Sequence, residues 1–164
     1  MSGPGVPEAI DPDVDLHVPA QRAETAGRHK WPVLAVISLG GVAGSLARYA
    51  ASRMWPVADD GFPWATLWVN VLGCALIGVL MVLVSEGGRG GRPAHPLVRP
   101  FLGVGVLGGF TTFSTYVLDF TDLLERAEAV TALTYAVGTV GGAMGAVWLG
   151  ASATRAVLTR AVAR

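Results

Sequence analysis

The sequence predicts an all-α membrane protein in which four transmembrane helices cross the bilayer and the third helix is broken. Hydrophobic residues make up 52% of the 164 residues and charged residues only 15%, against roughly 25% charged in an ordinary soluble domain. A helix needs about 20 apolar residues to cross the hydrocarbon. Four stretches reach that length: Trp31–Ser52, Trp64–Ser85, Leu97–Leu118 and Val130–Ala153.

The break is predicted from the third stretch, in which Gly108 and Gly109 precede four hydroxyl residues. A helix in lipid must satisfy its backbone groups internally, so this run fits a helix interrupted where protein or a water-filled path surrounds it. Carbonyls freed there are ligands for a cation such as Na⁺. The hydroxyl residues are Thr111, Thr112, Ser114 and Thr115.

Outside the spans the chain is polar. Residues 1–30 are rich in proline and acidic side chains, which predicts a disordered cytoplasmic tail. They do not fit a cleavable signal peptide, because the first apolar stretch begins only at Trp31. We expect the transmembrane domain over 31–153 and a short basic tail over 154–164. The third connector is predicted over 119–128, which leaves no carboxylate inside a span.

Charge and cysteine content exclude several functions. The formal net charge is +0 and the pI is about 6.8, so the chain lacks the basic surface that nucleic-acid binding needs. Cys74 is the one cysteine, can form no disulfide within the chain, and is expected to pack as a small hydrophobe. No redox or zinc chemistry follows from it.

The distribution of basic residues predicts the orientation in the membrane. The N-terminal tail, the second connector and the C-terminal tail hold nine of the 12 Lys and Arg residues, and the other side holds three. Both termini are therefore expected in the cytoplasm. The nine are Arg22, Arg28, Lys30, Arg89, Arg92, Arg99, Arg155, Arg160 and Arg164, and the three are Arg48, Arg53 and Arg126.

Glycines within the spans predict a dimer. Pairs such as Gly141 and Gly145 have the spacing that lets helix backbones approach closely. Four helices with this many small residues have little side chain with which to line a pore alone. We expect this surface to be buried in a dimer, and tight packing inside one chain is the alternative.

Polar residues inside the spans are candidates for function. The Asn70 amide could donate hydrogen bonds to an anion or join two helices, and Thr66 lies one turn earlier on the same face. Arg48 could attract an anion to a pore mouth, but a role in tying helix ends together is favoured. Tyr135 and Thr139 are four residues apart and could extend a hydrogen-bonding track.

Two aromatic residues, Phe113 and Tyr116, lie in the broken region at helical spacing. The edge of an aromatic ring carries partial positive charge and can face an anion. Ordinary packing against lipid or protein is the alternative for both rings.

With these residues assembled, the chain resembles the Fluc family of fluoride channels, also called CrcB, over residues 33–150. Three motifs in the same order carry the resemblance. They are Gly-Gly-x-x-Gly-x-x-x-Arg-Tyr at 40–49, Thr-Leu-x-Val-Asn-x-x-Gly at 66–73 and Gly-Gly-Phe-Thr-Thr-Phe-Ser-Thr at 108–115. The last motif is highly specific, and the shared order argues against coincidence.

The resemblance implies an antiparallel dimer in the cell membrane, with two pores that let cytoplasmic fluoride leave passively, and no enzymatic activity. It implies a structural Na⁺ at the dimer centre, held by the carbonyls of Gly108 and Thr111 from each subunit, and a hydrogen bond from Asn70 to fluoride. Together with the polar line at Thr66, the candidate fluoride pore comprises Asn70, Phe113, Ser114, Thr115, Tyr116, Tyr135 and Thr139.

Two positions depart from the family pattern. Tyr116 stands where the family usually has a second phenylalanine, and Ala143 shortens the polar track one turn beyond Thr139. Either the pore works with an altered rate or anion discrimination, or a partner chain supplies the working pore. An antiparallel homodimer also needs nearly balanced flanking charge, so an oppositely oriented paralog is the expected partner.

Two other classes of function compete with the channel. A small four-helix secondary transporter would need a membrane carboxylate for proton coupling, and Asp119 and Asp122 are expected only at the end of the third span. A scaffold subunit would explain the glycines but not the broken, hydroxyl-rich helix.

A reporter fused to the C-terminus should be found only on the cytoplasmic side, because nine basic residues against three favour one direction of insertion. A dual reporter, with one enzyme that is active only in the cytoplasm and another that is active only outside it, measures the location of the C-terminus. A fusion after Glu128, which is expected on the opposite side, is the control. Equal activity of the C-terminal fusion on both sides would contradict a fixed orientation.

Overall fold

The structure, a computed structural model, describes residues 30–56, 61–86 and 95–162. The predicted N-terminal tail, apart from its last residue, lies outside these ranges, and so do Arg89, Arg92 and Arg164 of the basic set.

All regular elements in the described ranges are helices, with no strand among them. Four segments are long and apolar enough to cross a membrane: Trp31–Met54, Trp64–Ser85, Arg99–Glu125 and Ala129–Ala161. The all-α fold with four candidate membrane spans is therefore confirmed. The helices are α1 (Lys30–Met54), α2 (Trp64–Glu86), α3 (Arg99–Leu107), α4 (Gly108–Phe110), α5 (Ser114–Glu125) and α6 (Ala129–Val162).

Two spans run further than the sequence predicted. The helix α5 continues to Glu125, so the expected start of a connector at Asp119 is wrong. This stretch contains no glycine or proline and is rich in leucine, which favours helix. The helix α6 continues past Ala153 to Val162 through alanine, leucine and arginine residues of high helix propensity.

A tight turn ends α5 and leads directly into α6. Ala127 adopts a left-handed conformation with φ 62°, at a position where glycine is usual. The N–H of Glu128 donates to the Leu123 carbonyl at 2.9 Å, and the N–H of Ala127 donates to the Leu124 carbonyl at 2.9 Å. These two bonds satisfy carbonyls at the helix end and bring α5 back against α6.

The helices pack chiefly as two pairs, α1 with α3 and α2 with α6. In the first pair backbone lies against backbone. A Cβ atom on Gly44 would overlap the Val106 carbonyl oxygen, and one on Gly40 would lie 2.5 Å from the Phe101 carbonyl oxygen. Gly78 makes a similar close approach to α6 in the second pair. These three glycines therefore pack tightly inside one chain. This is the alternative to burial in a dimer that the sequence analysis left open.

The helix α3 is π-helical over nine residues. The N–H of Gly108, which follows it, donates to the Gly103 carbonyl five residues back. Such wide turns are rare and frequently adjoin functional sites. Here the wide helix leads directly into the interrupted part of the third span.

Much of the apolar surface faces outward. In the apolar stretch of each span, 11% of the residues are buried in the first span and 6% in the third, whereas 33% are buried in the second. Trp31, Trp68 and Trp148 are each more than half exposed. The helix α2 is thus the most enclosed span, and the outer surfaces suit lipid or a second subunit.

A small core closes one end of the bundle. Leu123, Ala132 and Tyr135 are buried together, with Phe62 and Phe120 packed around them. This core ties α5 to α6 and to the residues that precede α2.

Substitution of Gly44 by alanine should destabilise the fold by about 1–3 kcal/mol, because the new methyl group cannot fit against the α3 backbone. Thermal melting of the detergent-solubilised protein, followed by the monodisperse gel-filtration peak, measures the change. Gly103→Ala is the matched control, since its Cβ would lie 3.6 Å from Leu80 and 3.7 Å from Ile77 in ordinary contact. Equal melting of the two variants would contradict the close α1–α3 packing.

Candidate functional site

Helical geometry in the third span stops at Phe110 and resumes at Ser114. Thr111 is extended, with φ −75° and ψ 158°. Just before it, Gly109 lies against α1, where a Cβ atom would be 2.5 Å from the Gly41 carbonyl oxygen. Gly109 therefore allows a close approach to α1, and the chain leaves the helix immediately afterwards.

Asn70 of α2 is joined to this interruption by two hydrogen bonds. Its Nδ2 donates to the Thr112 carbonyl oxygen at 2.9 Å, and the Thr112 N–H donates to Asn70 Oδ1 at 2.9 Å. Asn70 is buried, so both bonds are sheltered from water. An amide group has two N–H donors, and the contact with Thr112 uses one of them.

Several carbonyls at the interruption, among them those of Gly108 and Thr111, lose the donors that a continuous helix would give them. In such a helix the N–H of Thr112 would bond the Gly108 carbonyl and that of Thr115 the Thr111 carbonyl. The Thr112 N–H donates instead to Asn70, and the Thr115 N–H donates to Thr112 Oγ1 at 3.2 Å. The oxygens of Gly108 and Thr111 are thus released from helical pairing.

One of the two carbonyls between them, that of Gly109, accepts hydrogen bonds from α1. Arg48 Nε donates to it at 3.3 Å and Ser45 Oγ at 3.5 Å. Arg48 therefore contacts the interruption directly, and its hydrogen bond links α1 to the third span.

Thr112 also organises a cluster of hydroxyl groups. Its Oγ1 donates to Thr115 Oγ1 at 3.0 Å and lies 3.4 Å from Ser114 Oγ. The bond from the Thr115 N–H to the same oxygen gives α5 a side-chain acceptor for an N-terminal amide. The hydroxyl residues of the motif thus restart the helix.

A row of aromatic rings leads away from the interruption. Ring centroids are 5.8 Å apart for Phe113 and Tyr116, 5.4 Å for Tyr116 and Tyr135, and 5.5 Å for Tyr135 and Phe62. Phe113 is 77% exposed, whereas Tyr135 is fully buried. The Tyr116 hydroxyl lies 3.5 Å from the Ala136 carbonyl, its acceptor on α6.

Sequence reasoning missed one residue of this region, Asp119. Its Oδ2 accepts a hydrogen bond of 3.1 Å from the hydroxyl of buried Tyr135. Asp119 lies on α5, which continues the third span, and not in a connector as expected. Its spacing of three residues from Tyr116 was a signal that the two share a helix face.

Thr66 and Thr139 are both buried. The Thr139 hydroxyl oxygen has no hydrogen-bond partner among the residues that the structure describes. An unpaired buried hydroxyl is costly, so it calls for a ligand or an ordered water.

Two cavities meet at Thr112. The larger, of about 400 Å³, lies among α2, the interruption and α6, and Asn70, Thr139 and Tyr116 line it. The smaller, of about 220 Å³, is lined by Arg48 and Thr66 among others. The candidate pore residues are thus divided between two cavities on either side of one backbone segment, while Ser114 and Tyr135 line neither.

Within the described ranges, no group of three or more His, Cys, Asp or Glu side chains could hold a metal ion.

Comparison with known proteins identifies the family. A family model described as CrcB-like protein, Camphor Resistance (CrcB), matches residues 35–151. The chain belongs to the CrcB family. The resemblance drawn from the three sequence motifs is confirmed.

Curated relatives of this CrcB chain are named as fluoride-specific ion channels. FluC 1 of Streptomyces coelicolor is 52% identical over 141 residues, which cover 84% of this chain and 89% of that protein. FluC 2 of Streptomyces avermitilis is 50% identical over 135 residues, 82% of each chain. FluC 2 of Nocardia farcinica is 53% identical over 123 residues, 75% of this chain and 85% of that protein.

Replacement of Asn70 by leucine should loosen the interruption, because both backbone groups of Thr112 lose their buried partner. We expect faster hydrogen exchange at 111–115 and a loss of roughly 1–3 kcal/mol in stability. Mass-spectrometric hydrogen exchange measures the first effect. Thr121→Val is the control, since that hydroxyl bonds only to Val117 of its own helix. Unchanged exchange in Asn70→Leu would show that the two bonds do not hold the segment.

Proposed function

We propose that this chain is a subunit of a fluoride-selective channel that lets cytoplasmic fluoride leave the cell passively and so limits its toxicity. The observation that carries the proposal is the contact between Asn70 and the interruption, which places a neutral hydrogen-bond donor at a cavity in a bundle of four apolar helices. The names of the relatives, all fluoride-specific ion channels, support the same choice of ion.

Fluoride must exchange its hydration shell for protein donors if it is to cross the membrane interior. The second N–H of Asn70 is one such donor. The unpaired hydroxyl of Thr139 is another, and it lines the same cavity. Phe113 and Tyr116 border that cavity and could offer positive ring edges. These groups are all neutral, so an ion can bind them and still leave.

We propose that the path runs from the smaller cavity to the larger past Asn70. Arg48 and Thr66 border the first cavity, where a positive charge would attract an anion from water. Thr115 lines the first cavity and Thr139 the second. Ser114 and Tyr135 would then not contact the ion but would hold neighbouring residues in place. Ser114 lies at hydrogen-bond distance from Thr112, and Tyr135 donates a hydrogen bond to Asp119.

A structural Na⁺ fits the released carbonyls of Gly108 and Thr111. The diversion of the Thr112 and Thr115 amides leaves these two oxygens without helical donors. When bound, the ion supplies a fixed positive charge that satisfies both oxygens. Asn70 and Thr112 keep the oxygens free, and Arg48 keeps the Gly109 carbonyl occupied elsewhere.

The proposed assembly is an antiparallel dimer with an oppositely oriented paralog, and both termini of this chain are cytoplasmic. Low burial of the first and third spans supports a partner in the membrane. A Cβ atom on Gly138, Gly141 or Gly145 would touch nothing within 4 Å in the single chain. The uneven basic charge supports a partner of opposite bias rather than a second copy.

Tyr116 is proposed to serve as the usual phenylalanine does. Its hydroxyl lies beside the Ala136 carbonyl on α6. With the hydroxyl bonded there, the ring can border the cavity without placing an extra polar group in it.

The transporter alternative gains one observation, the carboxylate of Asp119 within the third span. Proton coupling in a small transporter needs such a group. Coupled transport would move fluoride against its gradient when a proton gradient is imposed, whereas a channel would not. Asp119→Asn would abolish that coupling.

Liposomes that hold the purified chain together with an oppositely oriented paralog should release fluoride down its gradient, with no chloride leak and with loss of release in Na⁺-free buffer. A fluoride electrode measures the rate. Asn70→Asp should slow release at least about tenfold, because a carboxylate replaces a donor to an anion. Thr134→Val is the control, since its hydroxyl is exposed and bonds its own helix.

The outcome with the single chain separates the finer proposals. Full release by this chain alone would contradict the need for a paralog. If the chain alone releases no fluoride and an oppositely oriented paralog restores release, the heterodimer is supported. If no such partner restores fluoride release, the channel proposal is overturned. Movement of fluoride against its gradient, driven by protons, would favour the transporter.

A further inference from the structure

Cys74 borders the larger cavity although the pore residues proposed above do not include it. It lies one helical turn after Asn70 on α2, on the same face, and lines the cavity with it. Its side chain is only partly buried. The one thiol of the chain thus lines the same cavity as the Asn70 amide.

Two close contacts fix the register of α2 against α6 around this thiol. A Cβ atom on Gly142 would lie 3.1 Å from Val71 Cγ2. Further along, Gly78 lies against the Val147 carbonyl. The middle of the stretch from Val71 to Gly78 therefore faces the stretch from Gly142 to Val147.

Cys74 and Ala143 both line the cavity. Ala143 has no polar side-chain atom. One turn earlier on α6, Thr139 is only 4% exposed and its hydroxyl has no partner in the described part of the chain. That hydroxyl points to a ligand or water in the cavity. Asn70, Thr111 and Thr112 are the other lining residues with amide or aliphatic hydroxyl groups, and Cys74 adds its sulfur to the same lining.

We propose that Cys74 belongs to the anion path and that its S–H group donates a hydrogen bond where Ala143 offers none. This inference rests on the proposed function, because it takes the larger cavity to be part of the fluoride path. A thiol is a weak, polarisable donor. It would hold the ion lightly at the level where the hydroxyl track on α6 ends.

The same position makes the path sensitive to a soft cation. Ag⁺ is such a cation and binds thiol sulfur. It forms a bond to Cys74 Sγ as the S–H bond breaks, and the proton passes to water, with no change in oxidation state. A bound silver ion would then obstruct fluoride in the cavity.

The first experiment measures silver binding on the purified full chain in chloride-free buffer. We expect one Ag⁺ per chain, absent in Cys74→Ser, and binding that slows when sodium fluoride replaces sodium nitrate. The matched control moves the thiol to the outward face of α2, as Leu76→Cys in the Cys74→Ser background, since Leu76 is 44% exposed. Fluoride should not slow silver binding there.

The second experiment measures fluoride release from liposomes. Cys74→Ala should conduct roughly threefold to tenfold more slowly, the rate equivalent of one net hydrogen bond. Cys74→Ser should conduct faster than Cys74→Ala, because its hydroxyl restores a donor. Silver should block the parent chain and not the Leu76→Cys control. Thermal melting of each variant separates lost conduction from lost folding.

Failure of this inference is distinct from failure of the proposed function. Silver that binds Cys74 equally fast with and without fluoride would overturn the role of Cys74, even in a chain that conducts. A chain that conducts no fluoride in any assembly would overturn the channel, whatever the binding result. Fluoride protection of Cys74 alone would support an anion in the larger cavity independently of flux.

Discussion

The two hydrogen bonds between Asn70 and the backbone of Thr112 hold the site together. They divert the Thr112 amide from its helical acceptor, which releases the Gly108 carbonyl. They also fix the backbone segment that separates the two cavities. Asn70, on the most enclosed span, thus fixes the backbone of the third span, which is the least buried. Because Asn70 is buried, loss of its side chain would leave both Thr112 backbone groups without this partner at a cost in stability.

Charged side chains do not line the larger cavity but lie beside it. No charged residue lines the larger cavity, whose lining residues are all described. The Arg48 guanidinium borders the smaller cavity and bonds the Gly109 carbonyl. The Asp119 carboxylate accepts from Tyr135. Neutral donors in the middle suit conduction, because an ion must enter a site and also leave it.

The four helical spans were predictable because the length of an apolar stretch is a local property of the sequence. The same holds for Asn70, which stood out as an amide among apolar neighbours. The partner of Asn70 was not predictable, because a hydrogen bond between residues 42 positions apart depends on how the helices pack. Asp119 was missed for a different reason. Its charge marked it as a connector residue, and only burial of Tyr135 against it shows otherwise.

The backbone contact of α1 with α3 and α4 also bears on how the site can move. Gly44 lies against the Val106 carbonyl and Gly109 against Gly41, with no side chain between them. Side chains can change rotamer to absorb a shift, but main-chain atoms in contact cannot. The two spans therefore behave as one rigid piece, and the spacing of the oxygens at the interruption is preset. Discrimination between ions of different radius would then arise from a fixed aperture rather than from a closing gate.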